Sequence, residues 1–549
     1  MAEHNTGARE GRSATGGAVL VALGTQQLLM AYDSTAMNVA VSAIVKDLGT
    51  TLSGVQSAIS VYALIMAAMM ITGSKLGTRH GHVRMFTLGA AIYGLGALVT
   101  SMSPSLVVMM IGWSLLEGVG AALVFPAILS VATQMFTGRE RTRALTIVGA
   151  AAGVGAALGP LIGGLITTYL SWRVSFLMET LVTATVIVLM RRAREPKRGH
   201  LAESFDLTGV ALSALTFTTI VLGVLVSGVY GLVTARRDVV VGGHTLLREG
   251  DVSPTVILLA CGVVLFCVFA WWERRLVGLG RDPLVRLAVL RDRPIRVGSL
   301  ALGAQFLVTA GLMFQIPVFL QTTLGYDALQ SGLTLLPLSA LLILGAMAAT
   351  RLLGAGRVTR RTLVVYGFLL LAAGSVLIGL TFNPQGSGLW LAPGLAVAGV
   401  GMGCCTILSD LVQSAARPDE VSDVAGLSRS LSYLGQSVGV ALAGALMTAV
   451  LLWTFTAGVD ASGVFPPAQK SAIISTVETG VQVTAVSDEQ LQAALAHRGL
   501  SSQAEAEIVR INAEARERAL EAAVLGMAVF ALIGFGLALC LPMAGTRCY

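Results

Sequence analysis

Charge is scarce in this sequence. Asp, Glu, Lys and Arg make up 12% of its 549 residues, against roughly 25% in soluble domains, while 55% of the side chains are apolar. That balance excludes a soluble globular protein and a disordered chain, and leaves an integral membrane protein. Lysine is limited to Lys46, Lys75, Lys197 and Lys470. The six cysteines form neither a metal-ligand spacing nor a disulfide framework, since Cys261, Cys267, Cys404, Cys405 and Cys540 lie inside apolar runs and Cys548 is at the end. No nucleophile constellation or phosphate-binding glycine loop is visible, and the six histidines are scattered. An enzyme and an ATP-driven pump are therefore not expected, nor is a bound metal or cofactor.

Long apolar runs are what the chain has instead. Crossing a hydrocarbon core of roughly 30 Å takes about 20 apolar residues in a helix. Fourteen such runs follow one another, from 16–42 at the start to 521–545 at the end. Residues 1–15 are polar, with Arg9 and Arg12, and no small-residue cleavage site follows, so they read as a tail before a retained first span. With that tail cytoplasmic, most basic residues fall on the cytoplasmic side, including Arg191, Arg192, Arg194, Lys197 and Arg198 in one loop. Both termini are then expected inside, and topology accounts for the net charge of +7 without a nucleic-acid partner. Asp238-Val-Val-Val and His244-Thr-Leu-Leu, separated by Gly242-Gly243, predict a β-hairpin in one outer segment. In the other, residues 454–520, the Ala-, Glu- and Arg-rich stretch from Asp488 to Ala519 predicts a helix.

The fifth run contains Gly155-Ala-Ala-Leu-Gly159-Pro160-Leu-Ile-Gly163-Gly164. Its glycines recur every four residues on one face, which permits close helix approach, and Pro160 bends the helix. The stretch resembles the antiporter motif of the major facilitator superfamily. Asp33-Ser-Thr-Ala-Met-Asn38 in the first run, Gln315-Ile-Pro-Val-Phe-Leu-Gln321 in the ninth and Leu434-Gly-Gln-Ser-Val-Gly439 in the thirteenth are similar to the superfamily's fourteen-span drug:proton antiporters. The resemblance implies an all-α integral membrane protein of the major facilitator fold. Two six-helix bundles, 16–198 and 297–549, would flank an inserted segment, 199–296, holding two extra spans at 207–233 and 254–272. It further implies a monomeric secondary transporter in a bacterial cytoplasmic membrane, driven by the proton gradient and exporting a small amphiphilic, hydrophobic or cationic substrate by alternating access. Export of an endogenous lipid, siderophore or antibiotic remains an alternative, as does a sensor or assembly factor that does not transport.

Three segments depart from the family pattern. In the cytoplasmic loop Gly73-Ser-Lys75-Leu-Gly-Thr78-Arg79-His-Gly81-His-Val-Arg84, Thr78 stands at the usual aspartate. In the fourth run Ser114 and Glu117 replace arginine and glutamine, and in the thirteenth Ser432 replaces an arginine, with Arg429 one turn earlier. An acid inside a membrane helix is costly and is a functional candidate by default. Asp33 shares a face with Gln26, Met30 and Met37, and Glu117 with Met110 and Trp113. Asp33 and Glu117 are the expected proton-coupling pair, although either could be a structural acid satisfied by hydrogen bonds. Glu179, Gln315 and Gln321 are expected to join those neighbours in lining the substrate cavity. The loop residues Gly73, Thr78, Arg79, Gly81 and Arg84, with Asp410 and Arg429, form the expected cytoplasmic gate.

Overall fold

A computed structural model describes residues 3–191, 193, 206–241, 244–382, 386–417, 420–466, 469, 470, 473 and 502–542. Among them are fourteen helices long and apolar enough to cross a membrane, numbered here as spans: Gly16–Asp47, Leu52–His80, His82–Ser101, Leu106–Met135, Gly138–Tyr169, Trp172–Met190, Leu207–Tyr230, Pro254–Gly278, Arg293–Thr322, Ala328–Gly354, Arg360–Leu380, Gly388–Ser414, Asp423–Ala461 and Ser502–Leu539. Apolar length sets their number, and short polar turns end them. Thr51 caps span 2 by accepting from the Gly54 amide, and Gly81, at a φ of 100°, reverses the chain into span 3. The two faces of the helical layer are called here the Gly16 side and the Asp47 side, after the ends of span 1.

An internal repeat organises the packing. Span 1 packs on 5 and 6, span 2 on 4, and span 3 on 4 and 6; eight spans later, 9 packs on 13 and 14, 10 on 12, and 11 on 12 and 14. The glycines explain the tightest of these pairs. A methyl group added at Gly155, Gly159 or Gly163 would collide with Leu28, Thr35 or Ala36 of span 1, and one added at Gly435 or Gly439 with the backbone of Gly303 or Leu307 in span 9. Thus the motif in span 5 and the similar stretch in span 13 do the same work in the two bundles.

Span 2 and the first half of span 13 form a seam between the bundles. Gln56 donates to the carbonyls of Val440 and Ala441 (3.0 and 3.1 Å), and Ser437 and Ser430 donate to Ser60 and Ala67 (2.6 and 2.7 Å). Spans 7 and 8 pack on each other, and span 7 lies against spans 2 and 13. The inserted pair therefore flanks that seam. On the Asp47 side, Gln321 ties span 9 to span 1, donating to the Val39 carbonyl (2.9 Å) and accepting from the Ser42 amide (3.2 Å).

Two expectations about the loops hold in their described parts. The hairpin forms from β1, Val239–Val241, and β2, His244–Leu247, paired antiparallel, while Gly242 and Gly243 lie outside the described residues. The helix expected from Asp488 to Ala519 is present in its described part, which begins at Ser502 and continues without a break into span 14. No glycine or proline interrupts residues 502–525, and Arg510 pairs with Glu507 and Glu514 at helical spacing, so the helix propagates into the apolar run. Residues 488–501 lie outside the described residues.

Candidate functional site

Span 4 departs from α-helical geometry where its acid sits. Met110–Glu117 is a π-helix, a wider turn found often at functional sites. Gly112 lies against Thr100 and Gly96 of span 3, so the widened turn fits only because those positions are small. The changed register turns Trp113, Ser114 and Glu117 inward together, whereas Met110 is only half-buried. Ser114, where the family pattern has arginine, donates to the Ala58 carbonyl (2.8 Å) and joins span 4 to span 2.

Three carboxyl groups meet behind that turn. Asp33 of span 1, Glu117 of span 4 and Glu179 of span 6 are 2%, 0% and 1% exposed, and one oxygen of each lies within 4.8 Å of the others. Neutral donors hold them. The Trp113 indole donates to Asp33 (2.9 Å), the Tyr93 hydroxyl to Glu179 (2.7 Å) and the Thr100 hydroxyl to Glu117 (3.4 Å). Tyr62 stacks on Trp113 with ring centres 5.0 Å apart, and Phe176 closes its edge at 6.5 Å. A second oxygen on Asp33 and on Glu117 has no partner among the described residues. Two unit charges 4.8 Å apart repel by about 3–4 kcal/mol at an effective dielectric of about 20. No lysine or arginine pairs with the three acids among the described residues, so the arrangement favours protons shared among these oxygens. The spacing would also suit a small cation, but each acid already spends one oxygen on a neutral donor.

Other expected cavity residues fall into two groups. Gln26, Met30 and Met37 are buried on span 1, and neither amide atom of Gln26 or of Gln315 has a partner among the described residues. Asp33, Met37, Trp172, Phe176 and Glu179 line a cavity of about 10 Å³, near the lower limit for one water molecule. Glu179 thus belongs to the acid cluster. Gln321 bolts span 9 to span 1, because its amide supplies both a donor and an acceptor to span 1 backbone.

The expected gate residues are also redistributed. Thr78 turns back to the Ser74 carbonyl (3.2 Å), so it makes no substitute for a charge. Gly73 lies against the backbone of Ala122, while Arg79 and Arg84 are exposed. The charge link between bundles comes instead from Lys75, whose ammonium is 3.4 Å from Asp423 at the start of span 13. Arg286, in the segment after the inserted pair, approaches the same carboxylate at 3.9 Å. Asp410 and Arg360 pair at 3.0 Å, both exposed and both within the second bundle, so they do not join the two. Arg429 pairs with no acid among the described residues, and its guanidinium lies 4.9 Å above the Phe125 ring of span 4.

Asp423 is 7% exposed and Lys75 24%, which places their link between an exposed pair, worth about 0–1 kcal/mol, and a buried one, whose breakage costs about 3–5 kcal/mol. Asp423→Asn is therefore expected to open the Gly16 end of the seam by about tenfold in population, close to 1.4 kcal/mol. Cross-linking between cysteines placed on spans 2 and 13 reads this. The exchange Lys75→Asp with Asp423→Lys should restore much of the cross-linking, and failure of either single change to alter it contradicts the latch.

Tyr62, Tyr93, Thr100, Lys75, Asp423, Phe125 and Tyr433 are absent from the residues singled out by sequence. Tyr93 carried one usable signal, as a lone hydroxylated aromatic in a glycine- and alanine-rich span.

Fourteen candidate spans, an internal packing repeat and a buried acid cluster describe a multi-pass membrane protein. Residues 23–440 match the Major Facilitator Superfamily, and the chain belongs to that family. It is 30% identical over 446 residues to the "Probable actinorhodin transporter" of Streptomyces coelicolor (strain ATCC BAA-471 / A3(2) / M145), covering 79% of this chain and 73% of that protein. It is 31% identical over 437 residues to the "Puromycin resistance protein pur8" of Streptomyces alboniger, covering 78% and 81%. Among solved structures, a bacterial homologue of the human lysosomal transporter Spinster, inward-facing and unoccupied, aligns with a TM-score of 0.61 at 16% identity, over 96% of this chain and 98% of that one. The first of these relatives is named as a transporter and the second as a resistance protein.

Proposed function

We propose that the protein is a proton-coupled exporter of amphiphilic, drug-like compounds. The relatives named for antibiotic transport and resistance support the substrate class, and the observation that carries the coupling is the convergence of Asp33, Glu117 and Glu179. In this reading the Gly16 side is cytoplasmic, both termini are inside, and residues 16–198 and 297–549 move against each other as bundles. Export needs no cofactor, because protons entering down their gradient bind the cluster in one state and leave it in the other.

The hydrogen-bond donors around the cluster give the chemistry its direction. Trp113 and Tyr93 keep their partners oriented, while the unpartnered oxygens of Asp33 and Glu117 are where a proton is exchanged. The cavity beside them has space for about one water and none for a substrate, so the drug path lies elsewhere, between the bundles. Coupling then acts through the packing of span 1 and span 4.

Proteoliposomes test the substrate and energy source together. Puromycin and N-phenyl-1-naphthylamine are loaded on one side, and their movement is followed with and without an imposed pH gradient. Accumulation against a concentration gradient that stops on adding a protonophore supports the reading. Movement that ignores the pH gradient contradicts the proton coupling, and no movement of either compound contradicts the substrate class.

A further inference from the structure

Span 13 carries a cation that the acid cluster and the seam leave unused. Arg429 and Tyr433 lie one turn apart and both keep accessible surface, whereas Ser428, Ser430 and Ser432 beside them are buried. That face of the helix is therefore only partly covered, and space beside Arg429 and Tyr433 is left accessible. Across it stands Phe125 of span 4, with the Arg429 guanidinium 4.9 Å from its ring centre and the Tyr433 ring edge-on at 6.4 Å. The three side chains come from both bundles and meet between spans 4 and 13.

No carboxylate neutralises this arginine among the described residues. Asp423, on the same helix, is held by Lys75 and Arg286, and Asp410 by Arg360. Asp33, Glu117 and Glu179 are gathered behind span 4 with neutral donors. A guanidinium withdrawn from bulk water without an anion is costly, and stacking on one ring compensates only in part. An anion entering the space would supply the missing partner. The guanidinium plane offers a fork of donors that fits a carboxylate, sulfonate or phenolate oxygen. Phe125 and Tyr433 offer a face and an edge to a flat ring attached to it.

We propose that Arg429, Phe125 and Tyr433 form a recognition niche for the acidic aromatic part of the substrate, such as a flat ring system bearing an ionised acid group. The proposal rests on the exporter reading and narrows it: acidic aromatic amphiphiles are favoured over the cationic compounds that the sequence alone suggested. A cation in this niche would meet Arg429 with no intervening carboxylate.

Two probes that differ by one charged group isolate the effect. 8-Anilinonaphthalene-1-sulfonate is N-phenyl-1-naphthylamine with a sulfonate added, and both report binding by fluorescence. The full chain in nanodiscs is titrated with each at equilibrium, without a pH gradient, after subtraction of empty nanodiscs. Arg429→Gln is expected to weaken sulfonate binding by at least about tenfold and the neutral probe by less than about twofold. Arg429→Lys, which keeps the charge but loses the fork, should fall between, and Phe125→Leu should weaken both probes. Equal losses for both probes in Arg429→Gln, unchanged sulfonate binding in that variant, or no saturable sulfonate binding by the parent would overturn the proposal. Arg429→Lys, which preserves charge and length, guards against a variant that fails to fold. The readout needs no proton gradient, so failure here leaves proton-coupled export standing, and failure of coupling leaves this niche standing.

Discussion

Asp33→Asn is expected to lower proton-driven accumulation of substrate by at least about tenfold, while downhill equilibration of the same compound stays within a few-fold. The amide keeps the shape of the carboxyl and still accepts from the Trp113 indole, so the contact at 2.9 Å survives. What disappears is the group that can gain and lose a proton at the centre of the cluster. Glu117→Gln and Glu179→Gln should act in the same direction. A loss confined to uphill transport separates coupling from damage to the path. Neutralising one acid also removes a repulsion from a set held within 4.8 Å, so the thermal midpoint of Asp33→Asn should equal or exceed that of the parent. Equal loss of uphill and downhill movement, together with a lowered midpoint, would instead mark Asp33 as a structural acid.

Gly159→Ala should be nearly as harmful, for a different reason. Its methyl group would fall on the Thr35 hydroxyl and within 2.9 Å of the Tyr32 carbonyl. Thr35 cannot turn away without cost, since its hydroxyl already donates to the carbonyls of Ala31 and Tyr32 at 3.1 Å. Overpacking of this kind costs about 1–3 kcal/mol, and relief requires span 1 to move off span 5, taking Asp33 away from Trp113. Both the thermal midpoint and uphill transport should therefore drop. Gly153→Ala is the matched control in the same helix, because a methyl group there meets nothing within 4 Å. It should be neutral or slightly stabilising, as alanine is favoured over glycine in a helix by about 1 kcal/mol. Equal effects at the two positions would contradict the packing role of the motif.

Features set by one helix were legible in the sequence, and features set by several were not. Apolar length alone gave fourteen spans, and the spacing of Gly155, Gly159 and Gly163 gave the face that the structure turns toward span 1. Asp33 and Glu117 stood out because intramembrane acids are rare. Glu179 was legible as an acid but not as their neighbour, since its place depends on how spans 1, 4 and 6 pack. Regular helical spacing placed Met110 with Glu117, but the π-helical turn broke that register. Thr78 was read as a missing latch, and the compensating pair joins residues far apart in sequence, Lys75 and Asp423. Arg429 was assigned to a surface gate from its distance to the helix end; its contact with Phe125 requires the other bundle to be in place.

The coupling role of the acid cluster is tested most directly by counting protons. Proteoliposomes containing a trapped pH-sensitive dye are given substrate on the outside, and proton flux is recorded for the parent and for the triple variant Asp33→Asn, Glu117→Gln and Glu179→Gln. The account predicts substrate-dependent proton flux in the parent and none above protein-free liposomes in the variant, with the variant still folded by size-exclusion profile. Undiminished proton flux in the triple variant would contradict it and move the coupling site away from these three carboxyls.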